Sequence, residues 1–145
     1  MYQLKTVQTT SAPRKATMKT TKLPKPKKIK KSTLRNKADR LFSYFVRSKN
    51  VCELSGLDHI NCGGSLQCMH ILTRGRTALR YNIMNVLCGC SGHHVYYTYH
   101  PMEWQKLIME HFYKKWNYVQ DHQNDTITKT EDLYREVIET YGKSK

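Results

Sequence analysis

Between Leu66 and His94 the chain reads LQCMHILTRGRTALRYNIMNVLCGCSGHH, and its reactive side chains crowd this stretch. His70 ends one short apolar run, Asn85 opens a second, and His94 closes a cluster that holds Cys88, Cys90 and His93. Hydrolysis of a phosphodiester needs an activated water and a counter-charge for the leaving oxygen. An imidazole with a pKa near the working pH can take the proton from water. One divalent cation can neutralise charge on the leaving oxygen. His70, aimed by a strand end, is the expected general base. Asn85, on the facing strand, is expected to fix the histidine-bearing loop. His94, at a helix start, is expected to bind the catalytic metal, Mg2+ or Mn2+. Arg74, Arg76 and Arg80 lie between the two runs and are candidates to hold phosphates.

Each of these residues has an ordinary reading when taken alone. A histidine on a strand is usually a structural hydrogen bonder, and an Asn before a strand is usually a turn residue. The ordered set His70, Asn85, His94, beside a cysteine cluster in a very basic chain, is what points to chemistry.

A second, structural metal is expected close by. Cys90-Ser-Gly-His93 has a two-residue gap that lets two ligands grip one ion from a single tight turn. Cys52 and Cys62, flanking a glycine-rich loop, are the best candidates for the other pair. A Zn2+ held by Cys52, Cys62, Cys90 and His93 would offset a small core. Cys88 and His59 are rival ligands, and Cys68 reads as a buried thiol. All five cysteines lie between Cys52 and Cys90. Without metal they read as buried thiols, a common fate of free cysteine.

The elements that must carry these residues follow from periodicity. Residues 33–49 predict a helix with Leu34, Ala38, Leu41, Phe42, Phe45 and Val46 on one face, capped by Ser32 or Thr33. Its other sides carry Arg35, Lys37, Arg40 and Arg47, a basic face that could meet a DNA backbone or simply water. Residues 51–65 are turn-rich. Strands are expected at 66–72 and 85–89, and a short helix at 91–99. Pro101 opens a further helix whose apolar stripe runs from Trp104 through Leu107, Ile108, His111 and Phe112 to Trp116. A last helix at 131–141, capped by Thr130, places Leu133, Val137, Ile138 and Tyr141 inward.

The composition restricts partners. Twenty-five Lys and Arg against 11 acids give a net charge of +14, which draws the chain to polyanions. Residues 1–31 contain ten of those cations, three prolines and no acid, and predict a disordered basic arm ending in Lys27, Lys28, Lys30 and Lys31. Residues 32–145 are the expected folded domain. No long apolar segment or basic amphipathic helix with a clean apolar face supports a membrane partner. The N-terminus has no apolar core segment of a secretory signal, so a reducing, intracellular setting is expected.

The segments LQCMHILTRG and LRYNIMNVLCGCSGHHVYYTYHP resemble the HNH, or ββα-metal, endonuclease motif. They are most similar to phage recombination endonucleases of the NinG/Rap type. The likeness extends from KADRLFSYFVR to the last helix, roughly residues 33–141. It implies an α+β fold: a small ββα-metal core with a structural zinc, flanked by helices. It implies that His70 activates water, Asn85 braces its loop and His94 binds the catalytic cation. It also implies a DNA substrate, including branched or nicked forms, and a host-cytoplasmic setting for a phage-encoded chain. Symmetric cutting of a junction would call for a homodimer.

Two positions depart from the pattern. Many such proteins place an acid or a His before the general base, where this chain has Met69, a poor ligand for a hard cation. Many carry a second helix ligand four residues after the first, where this chain has Thr98; His100 is the nearest substitute. The leading expectation is a metal-dependent DNA endonuclease. A zinc-stabilised DNA-binding module that cuts nothing is the alternative, and an RNA-directed nuclease is a third reading.

Overall fold

A computed structural model gives the architecture and describes residues 30–143. Lys27, Lys28 and nearly all of the expected basic arm lie outside the described residues. Lys30 and Lys31 are exposed, and Lys31 already belongs to the first helix.

Among the described residues, five helices and a two-stranded antiparallel sheet make an α+β fold. In chain order they are α1 (Lys31–Arg47), β1 (Leu66–His70), β2 (Val86–Cys90), α2 (Ser91–Tyr99), α3 (Pro101–His111), α4 (Tyr113–His122) and α5 (Thr130–Gly142). Leu66 pairs with Cys90 and His70 with Val86. Among the described residues no helix is long and apolar enough to cross a membrane.

The sheet is covered on both faces, so its alternating side chains feed two cores. Val86 and Cys88 join Leu34, Ala38, Phe42 and Val46 of α1 and Tyr134 and Val137 of α5. The i, i+4 spacing of the four α1 residues puts them on one stripe, as their periodicity demands. Met69 and Leu87 join Leu54, Leu79, Tyr97, Ile108 and Val119 on the other face. Burial on both faces explains why β2 is apolar or small throughout. At the outer edge of β2, one residue satisfies both backbone groups of Cys88. The Glu53 amide donates to the Cys88 carbonyl (2.8 Å), and a Glu53 carboxylate oxygen accepts from the Cys88 amide (2.7 Å).

Four local expectations are corrected. α1 begins at Lys31, so Ser32 and Thr33 lie inside its first turn and neither caps it. Likewise α5 starts at Thr130 with Lys129 before it. The first strand ends at His70, and Asn85 sits in a 3₁₀ turn (Ile83–Asn85) ahead of β2. The long helix after Pro101 breaks at Phe112, whose φ of −129° is not helical. A straight helix would carry Val119 about 16 Å beyond Ile108. The break folds α4 back so that both residues reach the same core.

Candidate metal centre and catalytic cleft

The four side chains Cys52, Cys62, Cys90 and His93 converge, with their ligand atoms all within 4.8 Å of one another. They could hold a metal ion. From His93 Nδ1 the sulfurs of Cys90, Cys52 and Cys62 lie at 3.0, 3.6 and 3.9 Å. Tetrahedral zinc with ordinary bond lengths would set these edges at roughly 3.6 Å. The chain closes this centre from three directions. Cys52 follows α1, Cys62 comes from the turn-rich loop, and Cys90 and His93 straddle the β2–α2 junction. Gly64, with φ +75°, permits the close approach: a Cβ there would lie 1.9 Å from Ser91 Oγ.

Outer contacts complete the centre. Amides of Gly63 and Cys90 donate to the sulfurs of Cys90 and Cys52, each at 3.3 Å. Burial works against the Cys90 thiolate, but hydrogen bonds from the His93 and Gly63 amides help to bring its pKa down to about 6. Burial pushes the Cys52 thiol up to about 11. His93 Nε2 faces Asp58 Oδ1 at 3.2 Å. A carboxylate only accepts, so Nε2 carries the proton and the Nδ1 lone pair faces the sulfurs. Burial opposes the charge on Asp58, yet hydrogen bonds from Tyr97, the Ile60 amide and His93 hold its pKa below the usual value. The rival ligands go elsewhere. Cys88 is buried in the α1-side core, Cys68 packs against it, and the His59 ring meets Tyr96 edge-on.

His70 and His94 line one cleft of about 420 Å³, together with Arg47, Gln67, Arg74 and Arg80. His70 Nε2 lies 3.0 Å from the Arg80 carbonyl oxygen. A carbonyl only accepts, so Nε2 bears the hydrogen and Nδ1 keeps its lone pair. Burial lowers the His70 pKa, and the charges of Arg74 and Arg80 lower it further, against the opposing pull of the Arg80 carbonyl and Asp39. The ring is therefore neutral at neutral pH and able to accept a proton. His94 is fixed the same way through its other nitrogen: Nδ1 donates to Gln67 Oε1, which leaves Nε2 free to bind a cation.

No known protein family, curated protein or solved structure matches the chain.

Asn85 is wholly buried and ties down the loop that follows β1. Its Oδ1 accepts from the Leu72 amide (2.8 Å), and its Nδ2 donates to the carbonyls of Leu72 and Leu79 (both 3.1 Å). Asn85→Ala would strip partners from three backbone groups and should cost about 3 kcal/mol or more. Urea denaturation measures this as a lowered midpoint at unchanged slope; a loss under about 1 kcal/mol would contradict the bracing role.

The three arginines of the loop separate. Arg74 is exposed at the cleft. Arg76 donates to the Gln123 carbonyl at 3.1 Å and lies in a different depression. Arg80 reaches the cleft with its guanidinium already forked onto Asp39, at 2.9 and 2.6 Å. Met69 is packed in the core, and the Thr98 hydroxyl donates to the His94 carbonyl at 2.6 Å. His100 stacks on Tyr96 and does not line the cleft. Among the described residues, no His, Cys, Asp or Glu trio forms around His94.

Sequence reasoning missed Gln67, Asp39 and Asp58. One signal was present for Asp39, the only acid in the first 52 residues. Gln67 is the one polar residue ahead of His70 within β1's apolar run. Asp58 carried no signal, because its partners stand 35 and 39 residues away.

Proposed function

We propose that the protein is a metal-dependent DNA endonuclease with an HNH-type ββα core (β1, β2 and α2) assembled around zinc. One observation carries the reading. Two imidazoles line the same basic cleft, each with one nitrogen engaged by the protein and the other left for chemistry. His70 Nδ1 takes the proton from a water that attacks the phosphorus. Asn85 holds the loop beyond His70. Arg74, with Arg47 from α1, meets the phosphate oxygens. A divalent cation at His94 would neutralise charge on the leaving 3′ oxygen. His94 supplies a single ligand atom, so phosphate and water must supply the others. Such sparse protein ligation suits Mg2+ or Mn2+ better than zinc.

The single imidazole also motivates a second reading. With Met69 and Thr98 where further ligands would stand, the fold would serve as a zinc-stabilised DNA-binding module. The deciding experiment incubates the protein with supercoiled plasmid and with duplex, nicked, flapped and four-way DNAs, in Mg2+ or Mn2+. Cleavage of at least one form is expected. Binding to all forms without a cut in any would favour the module.

Residues 1–29 bring eight of the 25 Lys and Arg and no acid. Their deletion should weaken DNA binding and flatten the dependence of log K on log salt, since each phosphate contact releases counterions. Titration at several salt concentrations tests this. An unchanged slope would mean that the arm does not touch DNA.

A further inference from the structure

We infer that Asp39, on a helix outside the ββα core, is a positioning residue that sets the tautomer and aim of His70. The inference rests on the reading of His70 as the general base. Asp39 accepts from both sides of the Arg80 guanidinium, Nε to Oδ1 at 2.9 Å and Nη2 to Oδ2 at 2.6 Å. The third edge of the same group donates from Nη1 to the Arg74 carbonyl at 2.9 Å. Arg80 is thus held on three sides, and its own carbonyl accepts from His70 Nε2. That carbonyl belongs to no strand. It follows a short 3₁₀ turn, Thr77–Leu79, in a connecting loop. Besides the hydrogen bonds of that turn and the tie from Asn85 to the Leu79 carbonyl, the side chain of its own residue anchors it across the cleft on α1.

Charge makes a purely binding role unsuitable for this pair. A carboxylate lining a cleft for phosphates repels them, and the fork onto Asp39 cancels the cation that would attract them. Both side chains are mostly covered, at 24% and 15% exposure. A planar fork on a carboxylate supplies direction as well as attraction, which a lysine in the same place would not. Tyr81 provides an internal control. Its hydroxyl donates to Asp39 Oδ1 at 2.8 Å, but no hydrogen bond links it to His70.

The test uses the full-length protein labelled with 15N at histidine. Wild type should give a single Nε2–H tautomer for His70. Asp39→Asn and Arg80→Lys should give mixed tautomers and a roughly 10- to 100-fold lower kcat for cleavage, with KM near wild type, because a base displaced by about 1 Å loses that much. Asp39→Glu, which keeps the carboxylate, should recover part of both signals. Tyr81→Phe should behave as wild type. Melting temperature and metal content report whether each variant folds, and Arg80→Lys decides the matter should Asp39→Asn unfold. A folded Asp39→Asn with one tautomer and full activity overturns the inference. So does a Tyr81→Phe variant as impaired as Asp39→Asn, which would mean that any loosening of this contact suffices. Should wild type cut nothing, the endonuclease reading falls, while the tautomer measurement still decides whether Asp39 governs His70.

Discussion

His70→Ala should lower the rate of DNA cleavage by roughly 10²- to 10⁴-fold while leaving DNA affinity close to wild type, the span expected for loss of a positioned general base. The geometry separates the two effects. The ring is neutral, so its removal takes no positive charge from the cleft, and Arg47 and Arg74 remain to meet phosphates. Its Nε2 is engaged by the Arg80 carbonyl, so only Nδ1 can serve the reaction. Plasmid nicking and equilibrium binding measure the two quantities on the same preparations. Equal nicking by variant and wild type would remove His70 from the chemistry.

The same site fixes the sign of a pH dependence. Burial and the two nearby guanidinium groups lower the His70 pKa from its ordinary 6.5. The reactive form is the unprotonated one, so cleavage should rise with pH as the proton leaves and should level off by neutrality. The midpoint of that rise should fall below pH 6.5 in wild type. Profiles of kcat/KM report it, and a midpoint above 7 would contradict the burial and charge that surround this ring.

Removal of the metal from the Cys52, Cys62, Cys90, His93 centre should unfold the domain. Apparent binding free energies of structural zinc in small peptides reach about 10–16 kcal/mol, as large as the whole stability of an ordinary domain, about 5–15 kcal/mol. Here the centre closes the loop from residue 51 to 65 onto the β2–α2 junction, beyond the core packing of Leu54 and the pairing of Glu53 with Cys88. That loop contains no helix or strand, and apart from the ligands it meets the β2–α2 junction through hydrogen bonds at Asp58, Gly63 and Ser65. The protein should therefore carry one zinc per chain. Strong chelator, or Cys90→Ser, should abolish the cooperative thermal transition seen by circular dichroism. Cys68→Ser should keep the zinc, since that thiol lies outside the centre. A metal-free preparation that melts at the same temperature with and without chelator would show a cluster of four side chains with no structural ion.

Much of this arrangement was legible before any coordinates. The i, i+4 spacing of Leu34, Ala38, Phe42 and Val46 encodes a helix with one buried stripe, whatever that stripe meets. The gap between Cys90 and His93 encodes a two-ligand grip within one turn. These features are local, so each is complete inside a few consecutive residues. The break at Phe112 was not legible, because its apolar stripe continues smoothly into Trp116. The break shows only in three dimensions, where it brings Ile108 and Val119 into one core.

The linear chain determined which side chains with chemical capability exist, on which elements, and in what order. It also determined a strong positive charge, through 25 cations against 11 acids. Tertiary structure decided between the expected set of Cys52, Cys62, Cys90 and His93 and its rivals Cys88 and His59, since Cys52 and His93 meet across 41 residues. It alone decided which nitrogen of His94, His93 and His70 is free, since Gln67, Asp58 and the Arg80 carbonyl make that choice by accepting a hydrogen bond from the other. It also divided the arginines, engaging Arg80 on Asp39 and leaving Arg74 open. The physical reason is common to all three. Spacing along the chain constrains neighbours within an element, whereas ligand closure, tautomer and ion pairing depend on partners that other elements bring from far along the sequence.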